Sequence, residues 1–144
     1  MLDRWAAHDP RVHVLHRPAE GLVAALNAGL TACRAPLVAR MDADDVSHPR
    51  RLELQTGRLD AHPDVGVVGC RVVCVPRARL ESGFRRYERW LNGLVDHAAM
   101  ARERFVDTPV AHPSVMLRRQ VLEAVGGWRD RSWPEDHRKS SVGA

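Results

Sequence analysis

Leu37-Val38-Ala39-Arg40-Met41-Asp42-Ala43-Asp44-Asp45 decides how this chain is read: a mostly apolar run passes straight into three carboxylates within four residues. Leu37 to Met41 has the composition of a strand covered on both faces, as parallel strands between helices are. Upstream, Leu22, Ala25, Leu26, Gly29, Leu30 and Cys33 recur at helical spacing, and Pro36 predicts that this helix ends near Ala35. Downstream, a second helix is predicted over Pro49 to Ala61, with Ser47 as its cap and His62-Pro63 as its stop. Helix, strand, carboxylates and helix in that order predict an α/β layered sheet. In open sheets of that kind, ligands bind beyond the carboxyl ends of strands, where Asp42, Asp44 and Asp45 stand. Three carboxylates so close repel one another unless solvent or a cation offsets them. Mg²⁺ or Mn²⁺ suits such a turn, because these hard ions take one or two carboxylates together with substrate phosphates. The plain alternative is a solvated acidic turn leading into the next helix.

Outward from this centre, Asp9-Pro10 predicts a turn, Val12 to Leu15 a short strand, and Arg17 to Gly21 a loop. Val65 to Val75 reads as a valine-rich strand. Phe84 to Arg104 reads as one long helix with Tyr87, Leu91, Leu94, Val95 and Ala98 on a single face. His112 to Leu117 is a further predicted strand, and Arg119 to Val125 a short helix closed by Gly126-Gly127. Cys70 and Cys74, four apart on the valine-rich strand, read as small buried apolar residues. Arg85-Arg86 and Arg118-Arg119 read as solvated surface. His137 to Ala144 has no periodicity.

The 144 residues have room for one domain, and 44% hydrophobic with 28% charged residues is an ordinary globular composition. Net charge is +4, and the only lysine is Lys139, so the positive charge is almost all arginine. These arginines are spread along the chain, which argues against the compact basic stripe of a nucleic-acid-binding module. They suit a phosphorylated small molecule, since a guanidinium meets phosphate oxygens with two parallel hydrogen bonds. No apolar run is long enough to span a membrane, and Met1-Leu2-Asp3-Arg4-Trp5 shows no secretory apolar core. Cys33, Cys70 and Cys74 are too few for a disulfide scaffold. The expected compartment is the cytoplasm.

Gly21-Leu22-Val23-Ala24-Ala25-Leu26-Asn27-Ala28-Gly29, continuing into Leu37 to Asp45, resembles family 2 glycosyltransferases of the GT-A fold. In that family a glycine-led helix bearing Asn-x-Gly precedes a strand ending in a DxD-type metal motif. His112-Pro113-Ser114-Val115-Met116-Leu117-Arg118 and Gly126-Gly127-Trp128 resemble the family's later strand and loop, and Trp133-Pro134-Glu135-Asp136 its Glu-Asp motif. The resemblance implies a Rossmann-like, mostly parallel sheet with flanking helices, and metal-assisted, inverting transfer of sugar from a nucleotide-diphosphate donor to a sugar or lipid-linked acceptor. It implies Asp44 as metal contact, with Asp42 and Asp45 beside it, and Asn27, Arg40 and Asp42 toward the nucleotide. Asp136 is then the general base and Glu135 its support, with His112, Trp128 and Trp133 facing the acceptor. Envelope polysaccharide synthesis and peripheral membrane contact are implied in the same way.

The family's first βα unit has no counterpart here, and residues 137–144 do not resemble the helix that follows Glu-Asp in the family. The expectation is a partial GT-A domain over residues 1–136, truncated at both ends, followed by a non-family tail. A degenerate, non-catalytic GT-A fragment is the main rival reading. Asp42-x-Asp44 also fits a haloacid dehalogenase-like phosphatase, but Lys139 is poorly placed for the lysine such an enzyme needs.

Overall fold

Among the described residues three short strands carry the fold, and the last of them in sequence sits in the middle. The computed structural model describes residues 2–129. Within it the chain forms α1 (Leu2–Ala6), α2 (Leu22–Ala32), β1 (Leu37–Ala39), α3 (Arg51–Ala61), β2 (Val67–Val68), α4 (Ser82–Gly93), α5 (His97–Glu103), β3 (Met116–Arg118) and α6 (Arg119–Ala124). The sheet order is β1-β3-β2. Leu37 stands opposite Arg118 and Ala39 opposite Met116, while Val68 meets Met116 from the other side. Both pairings are antiparallel. β1 and β2 therefore run the same way and are joined through α3, with β3 filling the slot between them. The α/β character expected from the sequence is present, whereas the expected mostly parallel pairing is not, because β3 enters that slot in the opposite direction. Among the described residues no strand lies along the outer edge of β1.

Several element boundaries differ from the sequence expectation for identifiable reasons. Val12 to Leu15 is not in a sheet, although its burial alternates from residue to residue as a strand's would. α2 stops at Ala32, short of Ala35, and the Cys33 carbonyl that follows accepts from the Arg119 guanidinium. α3 starts at Arg51, and its N-cap is Arg50 instead of Ser47, since Pro49 lies in the turn ahead of it. The single long helix expected from Phe84 to Arg104 is two helices. Asp96 starts the second by accepting from the Ala99 N–H at 2.8 Å, a side-chain cap that satisfies one orphan donor of the new helix. His112 to Ser114 forms a 3-10 turn, so the following strand begins only at Met116.

The valine-rich segment after β2 shows why apolar composition alone misleads. Only Val67–Val68 pairs in the sheet. Beyond it, the Val72 N–H donates to Asn92 Oδ1 at 2.9 Å and the Val72 carbonyl accepts from Asn92 Nδ2 at 2.7 Å. The Cys74 N–H donates to Glu88 Oε2 at 2.7 Å. Two side chains of α4 thus take the backbone groups that a neighbouring strand would have used. Cys70 is exposed and Cys74 half-buried, so neither is the fully buried apolar residue expected. Burial raises the pKa of the Cys74 thiol, with the Glu88 carboxylate adding to the effect.

The apolar centre joins α2 and β1 to the last described segments of the chain. Leu30 of α2, Val38 of β1 and Leu122 of α6 form one cluster, with Cys33, Leu117 and Trp128 packed against it. Leu59 of α3 is fully buried. Arg118 and Arg119, expected as solvated surface, are structural. Arg118 donates to the carbonyls of Leu59 at 2.7 Å, His62 at 3.2 Å and Val65 at 3.0 Å, tying β3 to the end of α3 and the turn after it, with a cation at the helix C-terminus.

Leu59→Ala is expected to lower unfolding stability by about 2–5 kcal/mol, the cost of lost burial plus a residual cavity, read from urea melts. Acid stability follows from Glu88. The hydrogen bond from the Cys74 N–H, and then the charge of Arg77 at 2.9 Å, hold the Glu88 pKa below its ordinary value. A depressed carboxylate pKa contributes stability in full above the ordinary value of 4.5, and the contribution disappears as pH falls through the depressed value. Glu88→Gln is expected to flatten that acid limb of the stability–pH curve, measured by melts between neutral pH and the acid transition.

Candidate donor site at the end of the first strand

The hydrogen-bond ladder between β1 and β3 runs one residue past β1. The Arg40 N–H donates to the Val115 carbonyl at 3.0 Å. This holds the end of β1 against the turn that carries His112. Arg40 is buried, with its side chain only 5% exposed, so the guanidinium lies within the protein and must find acceptors there. Its Nε faces Asp42 Oδ1 at 3.3 Å, and its Nη1 donates to His112 Nδ1 at 3.4 Å. Arginine has no acceptor, so Nδ1 of His112 is the accepting nitrogen of the pair. Three residues selected from the sequence, 72 positions apart at the extremes, therefore meet at one guanidinium.

The acidic turn opens outward from this point. Asp42 is partly exposed, and Asp44 and Asp45 are exposed. The Asp45 N–H donates to the Asp42 carbonyl at 3.3 Å and closes the turn. Among the described residues no three His, Cys, Asp or Glu side chains are gathered into a ready-made metal cage. The donor set still fits a hard divalent cation that keeps several waters and shares a substrate diphosphate, since such an ion needs only one or two protein carboxylates.

α3 holds this arrangement from the inner side through two residues that periodicity alone did not mark. Arg51 and Gln55 are both buried. Arg51 Nη2 donates to the Arg40 carbonyl at 2.8 Å and the Val115 carbonyl at 3.3 Å, and its Nε to Gln55 Oε1 at 3.0 Å. Gln55 Nε2 donates to the carbonyls of Ser114 at 2.8 Å and Val68 at 3.2 Å. The available signal was the four-residue spacing of Arg51, Gln55 and Leu59, which puts them on one side of α3.

Asn27 and Trp128 are placed together. Asn27 Nδ2 donates to the Trp128 carbonyl at 2.8 Å, and Asn27 Oδ1 accepts from the Trp128 N–H at 3.0 Å. The carboxamide, expected from the resemblance to lie toward a nucleotide, pins the loop after α6. That loop is a Schellman stop: the Gly126 N–H donates to the Glu123 carbonyl and the Gly127 N–H to the Leu122 carbonyl, both at 2.9 Å. Gly126 and Gly127 have φ of 83° and 74°, left-handed values that glycine adopts without strain. A side chain at Gly127 would place its Cβ 2.6 Å from Asn27 Oδ1. Trp128, expected at the acceptor, packs its partly buried ring on the apolar cluster. Trp133, Glu135 and Asp136 lie outside the described residues. An open groove of about 360 Å³ between Val14–Arg17 and α2 is lined by none of the expected site residues.

Comparison with known proteins gives the family. Glycosyl transferase family 2 matches residues 1–126, nearly the whole described chain. The chain belongs to that family. It is 34% identical over 134 residues to the amylovoran biosynthesis glycosyltransferase AmsE of Erwinia amylovora, covering 93% of this chain and 48% of that protein. It is 31% identical over 128 residues to EpsE of Bacillus subtilis (strain 168), covering 88% of this chain and 43% of EpsE. A shorter match, 30% identity over 76 residues, is to the bifunctional glycosyltransferase pgtA of Dictyostelium discoideum, covering 50% of this chain and 10% of that protein. The chain therefore spans about half the length of AmsE and EpsE. No solved structure matches. Among the described residues no helix is long and apolar enough to cross a membrane.

Asn27→Ala leaves the Trp128 N–H and carbonyl without their side-chain partner. It is expected to destabilise this family 2 domain by about 1–3 kcal/mol, read from denaturant melts.

Proposed function

We propose that this chain is a GT-A domain that handles the donor in inverting, metal-assisted transfer of sugar from a nucleotide diphosphate to an acceptor hydroxyl. The observation that carries the reading is the meeting of Asp42 and His112 at the buried Arg40 guanidinium, at the carboxyl end of β1. Asp44 and Asp42, with Asp45 beside them, are the proposed ligands of Mg²⁺ or Mn²⁺. When bound, that ion offsets the negative charge developing on the departing diphosphate. Arg40 fixes the direction of Asp42 toward the nucleotide and adds positive charge of its own near the phosphates. His112, held through Nδ1, presents its other ring edge toward the acceptor. Asp136 is the proposed general base. Its carboxylate takes the proton from the acceptor hydroxyl as that oxygen bonds to the anomeric carbon and the bond to the diphosphate breaks, with Glu135 and Trp133 flanking the acceptor. One such displacement inverts the anomeric centre.

The substrate class follows the relatives. AmsE is named for amylovoran biosynthesis, and the proposed acceptor is correspondingly a sugar, free or lipid-linked, in envelope polysaccharide assembly on the cytoplasmic side. α4 supports contact with an anionic membrane surface, because Phe84 is exposed beside exposed Arg85, Arg86 and Arg89.

Thermal melts with Mn²⁺ and UDP-, GDP- or dTDP-sugars test the reading. One nucleotide class is expected to raise Tm only when Mn²⁺ is also present. At 100-fold excess over Kd the gain is about 2.7 kcal/mol, and it is expected to vanish in Asp44→Ala. A cooperative melt that no nucleotide shifts would overturn the reading and leave a folded domain without a donor site.

A further inference from the structure

We infer that Arg51, acting with Gln55, is the positioning residue of the donor site, setting where Asp42 and His112 stand relative to each other. The inference rests on the proposed function for its catalytic consequence and on geometry alone for its structural one. Arg40 joins the two arms through side chains, at 3.3 Å to Asp42 and 3.4 Å to His112. These contacts are long, so a lateral shift of either arm would lose them. The main chains are held more firmly from beneath. Arg51 Nη2 bridges the Arg40 carbonyl, two residues before Asp42, and the Val115 carbonyl, three residues after His112, at 2.8 and 3.3 Å. Gln55 Nε2 repeats the grip on Ser114 at 2.8 Å, and the Arg51–Gln55 bond at 3.0 Å makes the two act as one clamp.

A purely structural filler is a poor account of Arg51. Val115's carbonyl already accepts from the Arg40 N–H at 3.0 Å, so the ladder alone satisfies it and Arg51 adds a second donor there. No carboxylate pairs with Arg51 among the described residues. Burying an unpaired guanidinium is costly, and a neutral side chain would satisfy the Arg40 carbonyl with less penalty. Nη2 alone reaches both arms, and what the planar fork of arginine adds is a second nitrogen, Nε, that locks this grip to Gln55 in one rigid geometry. Lysine at this position keeps the charge and donors for the carbonyls but has no second nitrogen for Gln55 Oε1, so the grip on the two arms is no longer locked to Gln55.

The test uses Arg51→Lys in the intact protein with three readouts: the melt, long-range ¹H–¹⁵N spectra of the His112 ring, and sugar-transfer kinetics. In the parent, His112 is expected as a single tautomer with the proton on Nε2, because Nδ1 accepts from Arg40. Arg51→Lys is expected to fold, show mixed His112 tautomers, keep donor KM within about threefold and lose about 10- to 100-fold in kcat, as misplacement of a reacting group does. A folded Arg51→Lys with the parent's His112 spectrum or the parent's kcat would overturn the inference. If Arg51→Lys does not fold, Gln55→Met is read in the same way, and failure of both to fold would mark the clamp as structural only and overturn it. If the parent neither binds nucleotide nor transfers sugar, the glycosyl-transfer reading fails while the His112 spectra of parent and variant still decide the positioning role.

Discussion

Buried backbone carbonyls at the junction of β1 and the 112–115 turn impose the constraint on which the site depends. The Arg40 and Ser114 carbonyls lie where strand pairing gives out, and a buried acceptor without a donor costs about 1–3 kcal/mol. The chain answers with side chains from α3, Arg51 and Gln55, and not with another strand. Because the donors sit on a rigid helix, satisfying those carbonyls also fixes the distance between two loops. The acidic turn and the His112 turn are thus held in place by the same contacts that keep the core's polar groups paired.

The same device recurs elsewhere in the fold. Asn92 and Glu88 of α4 hold the segment after β2, Arg118 closes the end of α3, and Asn27 ties α2 to the loop after α6. Each is a side chain standing where a strand or helix would ordinarily supply a backbone partner. The strands are only two or three residues long, so the sheet alone could not organise the loops. Cross-links between helices and loops do that work, with the Arg40 side chain inside, Asp42 at its edge and Asp44 and Asp45 outside.

What the sequence revealed and what it hid divide along this line. The apolar run into Asp42-Ala43-Asp44-Asp45 and the helices on either side were legible, because periodicity reports burial and carboxylates report exposure. The union of Arg40 with His112 was not legible: the resemblance set Arg40 toward the nucleotide and His112 toward the acceptor, and nothing local links positions so far apart. Arg51 and Gln55 stayed hidden because polar residues on a helix are ordinarily solvated, and their burial arises from carbonyls contributed by distant segments. The valine run from Val65 to Val75 misled for the converse reason: its composition suits a strand, but Asn92 and Glu88 claim its backbone. The pairing of the Asn27 carboxamide with the Trp128 backbone was hidden too, because it joins segments far apart in the chain. The antiparallel placement of β3 was likewise invisible, because pairing direction is a tertiary property.

The most direct test of the account is a crystal structure of the intact protein with Mn²⁺ and the nucleoside diphosphate that it binds. The account predicts the cation on carboxylate oxygens of the Asp42–Asp45 turn, the diphosphate shared with it, and Arg40 still bridging Asp42 and His112. A nucleotide bound away from the end of β1, with the acidic turn solvated and no cation, would contradict it.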